Sequence, residues 1–314
     1  VASLSNVTTP TILGVYPTAS KKPFQGVVVA DMKGPDYDPS KYALPELVYI
    51  TVGDGFNLPG MIVYPKGFDA AKKYPVHVDI YGGPNSPVVR DRWTMPNANN
   101  QWWSENGIIQ ITVDPRAAGH NGREGLDMIY RQLTVWEVKD FCAWADWLKA
   151  LPYVNGDKIG VEGFSFGGTM TSMLLMQAPE SFHYGIAGGG VYDWALYDSH
   201  YTERYMDTPQ NNPEGYKVSK VLNYVEGYPV TYGSECAGCP FRCVEPVMLK
   251  LTHGTGDDNV HLQNSLWLIN ELHRHGKKFD FMIYPDGMHG YRGYQGSHFQ
   301  NANNEFWLRY LKAE

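Results

Sequence analysis

Short apolar runs bounded by turn residues alternate with longer stretches of helical periodicity from about residue 46 onward. Strands are predicted at 47–52, 61–64, 76–81, 108–113, 158–162, 185–188, 248–252 and 279–284. Helices are predicted at 133–150, 169–176, 262–275 and 299–311, and the first has an apolar stripe of Phe141, Trp144, Ala145 and Leu148. Strands alternating with helices of this length predict an α/β fold with a mostly parallel sheet covered on both faces.

Residues 1–44 differ in character from the rest of the chain. They are rich in Thr, Pro, Lys and Gly and contain only short apolar pieces. We interpret them as an N-terminal extension, followed by one α/β domain at 45–314. In such a domain, reactive side chains collect beyond the carboxyl ends of the strands.

Composition narrows the classes of partner. The chain has 314 residues, a net charge of −7 and no block of like charge, which argues against nucleic acid or an anionic membrane surface as a partner. No apolar run reaches the roughly 18–20 residues that span a bilayer. The N-terminus lacks the basic and apolar segments of a signal peptide, so a signal was either removed or never present. Nothing in the sequence calls for a cofactor or a metal at the main site.

The segment Gly163-Phe164-Ser165-Phe166-Gly167-Gly168 is a G-x-S-x-G motif between a predicted strand and a predicted helix. That context is the one a nucleophile elbow needs, because the glycines let the strand and helix approach closely while the serine projects above the sheet. A glycine-rich tight turn without chemistry is the alternative interpretation. If the elbow is real, the motif predicts acyl transfer by Ser165.

A serine nucleophile needs a general base and a group that orients the base. His289 lies in a glycine-flanked loop, residues 285–290, directly after a predicted strand, which is where a base is expected. The other downstream histidines that leave room for an intervening acid lie at the ends of predicted helices: His261, His273, His275 and His298.

The acid is expected in residues 254–260, after the strand ending near Thr252. Asp257 and Asp258 are adjacent there and point in different directions, so one of them can meet the histidine. Asp114 and Asp193 also follow strands, although Asp114 precedes the serine and so breaks the usual Ser–acid–His chain order.

The four cysteines are spread unevenly. Cys142 falls in a helical pattern and is interpreted as a core residue. Cys236, Cys239 and Cys243 form C-x2-C-x3-C, which fits free thiols, a local disulfide, or a metal site with His253 as the nearest fourth ligand.

Several of these segments match one family. The chain resembles the catalytic domain of the prolyl oligopeptidase family in its dipeptidyl-peptidase IV branch. The matching segments span about 45–312 in the correct order: residues 79–86 (DIYGGPNS), the elbow, residues 201–206 (YTERYM), residues 253–261 (HGTGDDNVH) and residues 284–290 (YPDGMHG).

The resemblance implies an α/β-hydrolase fold with Ser165, Asp257 and His289 as its catalytic triad. It implies an oxyanion hole made by the Tyr81 hydroxyl and the Phe166 backbone N–H, and Asn259 as the group that binds a substrate carbonyl. It also implies a proline-sized apolar pocket formed by Phe166, Val191, Trp194, Tyr197, Tyr201 and Val260. The aromatic residues at 194, 197 and 201 equally fit simple core packing, because they share helical spacing.

The chain departs from the family pattern in three places. Phe166 stands where this branch usually has tyrosine, so the pocket wall loses a hydroxyl. Residues 114–119 differ from the family's glycine- and serine-rich loop, although Arg116 is kept. Residues 228–246, an atypical insert with three cysteines, match nothing expected there.

Family members carry a β-propeller ahead of the hydrolase domain, and in this branch it supplies the acidic pair that holds the substrate's N-terminal amine. Residues 1–44 resemble the last fragment of such a propeller. Without the clamp, the site would be more open, and lost remote binding energy would lower kcat as well as affinity.

The main hypothesis is a serine peptidase that works through an acyl-enzyme and prefers proline before the cut bond. The alternative is a carboxylesterase acting on acetyl, aryl or feruloyl esters with the same groups, and the remote alternative is a non-catalytic remnant. The resemblance suggests a periplasmic or secreted location, and the sequence is compatible with a homo-oligomer without specifying one.

Overall fold

The computed structural model describes residues 1–15, 26–96, 98–232 and 245–312. Near the N-terminus, three short strands form a small antiparallel sheet: β1 (Ala2–Leu4), β2 (Ile12–Val15) and β3 (Val27–Asp31). The sequence pattern did not predict them, because runs of three to five residues are too short to give a clear period. The division of the chain at residue 44 stays a prediction.

The main sheet has eight strands in the order β11-β10-β9-β8-β6-β7-β5-β4. The pairs β4–β5 and β5–β7 are antiparallel and the others are parallel, which confirms the predicted mostly parallel sheet. The strands are β4 (Glu46–Thr51), β5 (Asn57–Val63), β6 (Tyr74–Ile80), β7 (Ile109–Val113), β8 (Val154–Phe164), β9 (Tyr184–Gly188), β10 (Met248–Gly254) and β11 (Asp280–Tyr284).

The helices connect and cover these strands. Those described are α1 (Ala98–Glu105), α2 (Gly122–Ile129), α3 (Val135–Ala150), α4 (Phe166–Gln177), α5 (Ser199–Met206), α6 (Pro213–Val218), α7 (Gln263–Arg274) and α8 (Tyr294–Lys312). The four predicted helices, α3, α4, α7 and α8, are confirmed, and the four shorter ones were missed. Helix α8 begins at Tyr294, not at Phe299 as predicted. The glycines at 290, 293 and 296 have low helix propensity and obscure the helical pattern of its first turn.

Strand β6 explains how the sheet is covered on both faces. Its residues Val76, Val78 and Ile80 belong to the larger core, which includes residues of α3 and α4. His77 points to the opposite face and stacks on Trp103 of α1, with 3.9 Å between ring centroids. Trp307 of α8 packs on the same face.

Among the described residues, no helix combines the length and the apolar character that a membrane crossing requires.

The first turn of α3 buries an isolated carboxyl group. Glu137 is fully buried, and neither of its carboxyl oxygens has a hydrogen-bond partner among the described residues. Burial raises the pKa of Glu137 to about 8, and the charge of nearby Asp140 acts in the same direction. The nearby positive charge of Arg116 opposes this rise without cancelling it. Glu137 therefore holds its proton in the folded protein at neutral pH.

This burial predicts a specific dependence of stability on pH. The pKa of Glu137 is raised from 4.5 to about 8 on folding. The folded state therefore binds the proton more tightly than the unfolded chain, and stability is lost as pH rises through this window, at up to about 1.4 kcal/mol per pH unit.

Glu137→Gln should remove this slope when the free energy of urea unfolding is measured between pH 5 and 8. Glu124→Gln, at an exposed position of α2, is the control and should keep it. Parallel pH profiles for Glu137→Gln and the wild type would contradict the assignment.

Candidate active site

Ser165 lies on a sharp turn between β8 and α4. Its backbone has φ 61° and ψ −121°, in a region that non-glycine residues rarely adopt. A Cβ at Gly163 would lie 2.5 Å from the Gly167 backbone, and a Cβ at Gly167 would lie 2.5 Å from the Ile80 carbonyl oxygen. Both positions therefore require glycine, and the turn has the geometry of a nucleophile elbow.

Asp257 lies in the turn after β10 and is buried, with 5% of its surface exposed. Its Oδ1 accepts hydrogen bonds from the backbone N–H groups of Asn259 (3.0 Å) and Val260 (2.9 Å). Its Oδ2 lies 2.8 Å from Nδ1 of His289. Asp258 is exposed, so Asp257 is the carboxylate of the pair that meets the histidine.

The two rival acids are engaged elsewhere. Asp114 accepts hydrogen bonds from the backbone of Val88 and Val89 and lies 3.0 Å from the Nε2 of His120. Asp193 forms an ion pair of 2.6 Å with Lys220 and caps a short 3-10 helix. Both carboxylates therefore stabilise the loops around them.

The surroundings of Asp257 keep it ionised. Burial raises the pKa of the carboxyl, but hydrogen bonds from His253, His289 and the Val260 amide outweigh that effect, so its pKa lies below the usual range. An ionised carboxylate only accepts hydrogen bonds, and Nδ1 of His289 must therefore carry the proton of their bond. The neutral His289 ring then has an unprotonated Nε2. The ring packs against Phe164, the neighbour of Ser165, with 5.1 Å between ring centroids.

Tyr81 follows β6 on the other side of the elbow strand. Burial raises the pKa of its phenol, and the nearby Ser165 side chain opposes this rise. The Phe166 N–H lies in the first turn of α4, where amides lack intrahelical partners. Both groups neighbour the serine in the fold, and their role as an oxyanion hole stays a prediction.

Aromatic rings form a wall next to the elbow. Trp194 lies 5.5 Å from Phe166 and stacks on Tyr201 at 6.3 Å, and Tyr197 lies 5.5 Å from Tyr201 between ring centroids. Trp194 is 1% exposed and belongs to the core, whereas Tyr197 and Tyr201 are half-buried. The rings pack with the core, as the alternative interpretation expects, and their role as a substrate pocket stays a prediction.

The remaining predicted pocket residues differ in exposure. Val191 and Val260 are fully buried, at 2% and 0% exposure, and lie within the core. Asn259 is exposed, and its Oδ1 accepts a hydrogen bond of 2.7 Å from the Tyr197 hydroxyl. This bond orients the amide so that the Nδ2 of Asn259 can serve as a donor.

A cleft of about 450 Å³ opens beside His289 and is bounded by the exposed Asp258, Asp286 and Arg292. A larger cavity of about 550 Å³ lies over Asp79 and Thr112 and holds none of the predicted catalytic residues. Of the predicted catalytic residues, His289 alone lines the smaller cleft.

The sequence did not identify the role of His253. His253 is the nearest candidate for a fourth ligand of the cysteine cluster, but both of its ring nitrogens are hydrogen-bonded inside the protein.

Cys236, Cys239 and Cys243 lie outside the described residues. Cys142 is half-buried against the core, and burial raises the pKa of its thiol to about 11. In the part of the chain that the structure describes, no group of three or more acidic, histidine or cysteine side chains is arranged to hold a metal.

The fold and the Ser165 elbow are those of the α/β-hydrolase class, and comparisons with known proteins identify the family. The model of the prolyl oligopeptidase family matches residues 93–314. The chain belongs to the prolyl oligopeptidase family, as the motifs indicated.

The similar proteins share one branch of that family. A protein of Arthroderma gypseum named "Probable dipeptidyl-aminopeptidase B" is 38% identical over 283 residues, which cover 86% of this chain and 29% of that protein. A protein of the same name from Talaromyces stipitatus is 40% identical over 253 residues, 79% of this chain and 26% of that protein. The crystal structure of Porphyromonas gingivalis dipeptidyl peptidase 4 matches with a TM-score of 0.83 and 32% identity, over 98% of this chain and 41% of that one. The chain thus spans less than a third of the length of these curated relatives.

The strained backbone of Ser165 predicts an unusual order of stability among inactive variants. Ser165→Gly should be more stable than Ser165→Ala by about 1 kcal/mol, because only glycine relaxes this conformation. Elsewhere glycine is usually the less stable of the two. Thermal and urea unfolding of the two variants would measure the difference, and a more stable Ser165→Ala would contradict the strain.

Proposed function

We propose that this chain carries the catalytic centre of a serine peptidase that cleaves peptides after proline through an acyl-enzyme. The observation that supports it best is the 2.8 Å bond between His289 and a buried, ionised Asp257, at the sheet edge that carries the Ser165 elbow. This bond sets the tautomer in which His289 acts as a base.

In the proposed reaction, the Ser165 oxygen attacks the substrate carbonyl carbon as His289 Nε2 takes the serine proton. The Tyr81 hydroxyl and the Phe166 N–H hold the oxyanion that forms. His289 then gives the proton to the leaving nitrogen as the carbon–nitrogen bond breaks. Water, deprotonated by His289, hydrolyses the resulting ester and releases Ser165.

The aromatic wall supports the proposed preference for proline. The ring faces of Tyr197 and Tyr201 meet at 83° beside the buried Trp194, which forms a corner suited to a compact apolar ring. Asn259, oriented by Tyr197, would donate a hydrogen bond to the carbonyl of the preceding residue. The names of the related dipeptidyl peptidases support a peptide as the substrate.

A carboxylesterase is the second candidate, and the exposure of the wall favours it. Tyr197 and Tyr201 are only half-buried, so flat aryl groups could stack there without further binding elements. Esters have better leaving groups than amides and need less positioning. A periplasmic or secreted location is also a proposal, which the family resemblance supports, and a homo-oligomeric state is compatible with the sequence.

Turnover of matched amide and ester substrates tests the function. We expect the wild type to hydrolyse Gly-Pro p-nitroanilide, with Ser165→Ala inactive as the control. A rate on the amide comparable to that on p-nitrophenyl acetate supports the peptidase. Turnover of the acetyl ester or a feruloyl ester alone would replace it with the carboxylesterase.

Tyr81→Phe tests the oxyanion hole. The variant keeps the ring and loses one donor, so we expect kcat to fall about 10²–10³-fold with little change in KM. Tyr205→Phe is the matched control, because that ring packs on Tyr201 at 4.9 Å and has no proposed role in the reaction. A kcat for Tyr81→Phe within twofold of the control would refute the role.

A further inference from the structure

His253 lies behind the acid of the proposed triad. It is 0% exposed, stands four residues before Asp257 and occupies the end of β10. Its Nδ1 lies 2.7 Å from the Ser265 Oγ, and its Nε2 lies 2.8 Å from the Val260 carbonyl oxygen. The same Nε2 lies 3.4 Å from Oδ2 of Asp257. One buried ring thus contacts the strand, the turn and the helix that surround the acid.

The partners of His253 fix its protonation pattern. The Val260 carbonyl and the ionised carboxylate of Asp257 only accept hydrogen bonds, so Nε2 must carry a proton. The Ser265 hydroxyl can then donate to Nδ1. Ser265 is fully buried in α7, so it is held in place by the helix. The two acceptors at Nε2 therefore set the tautomer of His253, and the Ser265 hydroxyl holds the ring in place at Nδ1.

This arrangement completes the surroundings of the carboxylate. Oδ1 of Asp257 faces the amides of Asn259 and Val260, and Oδ2 faces His289 and His253. We propose that His253, with its tautomer set by the acceptors at Nε2 and its ring held by Ser265, is a positioning residue that fixes Asp257 and thereby the direction and basicity of His289. This inference rests on the proposed function of the triad.

The electrostatic consequence is specific. The titratable groups that face Asp257 are His253, His289 and the phenols of Tyr197 and Tyr291. Loss of the His253 donor leaves more of the carboxylate's charge to act on His289. The imidazolium form of His289 then becomes more stable. The acid limb of the pH–activity profile should therefore move to higher pH.

Three variants test this role. His253→Leu removes the donor, His253→Gln can supply a side-chain N–H in its place, and Ser265→Ala removes the hydroxyl that holds the His253 ring at Nδ1. The assay measures the pH profile of kcat and kcat/KM on p-nitrophenyl acetate and Gly-Pro p-nitroanilide, normalised to sites labelled by a fluorophosphonate. In His253→Leu, we expect kcat to fall about tenfold or more and the acid limb to move to higher pH. His253→Gln should recover most of both, and Ser265→Ala should lie between.

A purely structural role would lower the number of labelled sites and leave the pH profile of those sites unchanged, and this result would overturn the proposal. If His253→Leu does not fold, Ser265→Ala decides, and a wild-type acid limb in that variant refutes the role.

A readout without turnover separates this proposal from the proposed function. In the Ser165→Ala protein, the NMR resonance of the His289 Nδ1 proton should shift when His253 is also replaced by glutamine or leucine. An unmoved resonance overturns the positioning role even if the wild type is active. A shifted resonance supports it even if the wild type turns over neither substrate.

Discussion

The buried carboxylate of Asp257 is the group on which the geometry of the site depends. Taking an ionised carboxylate out of water costs several kcal/mol unless hydrogen bonds replace the lost solvation. Here two backbone amides and two histidines surround it. The same bonds that stabilise the charge also fix the turn after β10 and the direction of His289. Stability and chemistry therefore depend on the same contacts.

The register of the parallel strands brings the separate parts of the site together. Phe164 of β8 pairs with Gly188 of β9, and Gly188 pairs with Thr252 of β10. Gly254 of β10 in turn pairs with Tyr284 of β11. The strand ends are level, so the loops that follow them carry Ser165, Asp257 and His289 to one edge. Residues that are far apart in the sequence therefore lie close together in the structure.

Sequence patterns predicted the long strands, the four longer helices and the positions of Ser165 and His289. They succeeded because strand ends and glycine-flanked loops leave a clear local signal. The choice between Asp257 and Asp258 required the family resemblance, since it depends on which carboxylate the turn directs inward.

Other features left no readable signal in the sequence. Glu137 looks like an ordinary first-turn acid, and its raised pKa follows from packing across the fold. His253 sits in a recognised motif, but its two partners come from the turn and from α7, and only the tertiary structure brings them to it.

Phe166 connects the elbow to the substrate wall. Its ring is 3% exposed and lies 6.2 Å from Tyr81 and 5.5 Å from Trp194. The tyrosine expected from the family would bring a hydroxyl into this packed region, where it would need a partner. The side chain thus makes the wall more apolar while its backbone N–H keeps its place beside Ser165.

We propose that Ser165 is a nucleophile activated by His289 and Asp257. Labelling with a fluorophosphonate, followed by peptide mapping in a mass spectrometer, tests this role without any choice of substrate. We expect one adduct per chain, on Ser165, and its loss in both Ser165→Ala and His289→Ala. An absence of labelling, or an adduct on another residue, would contradict it.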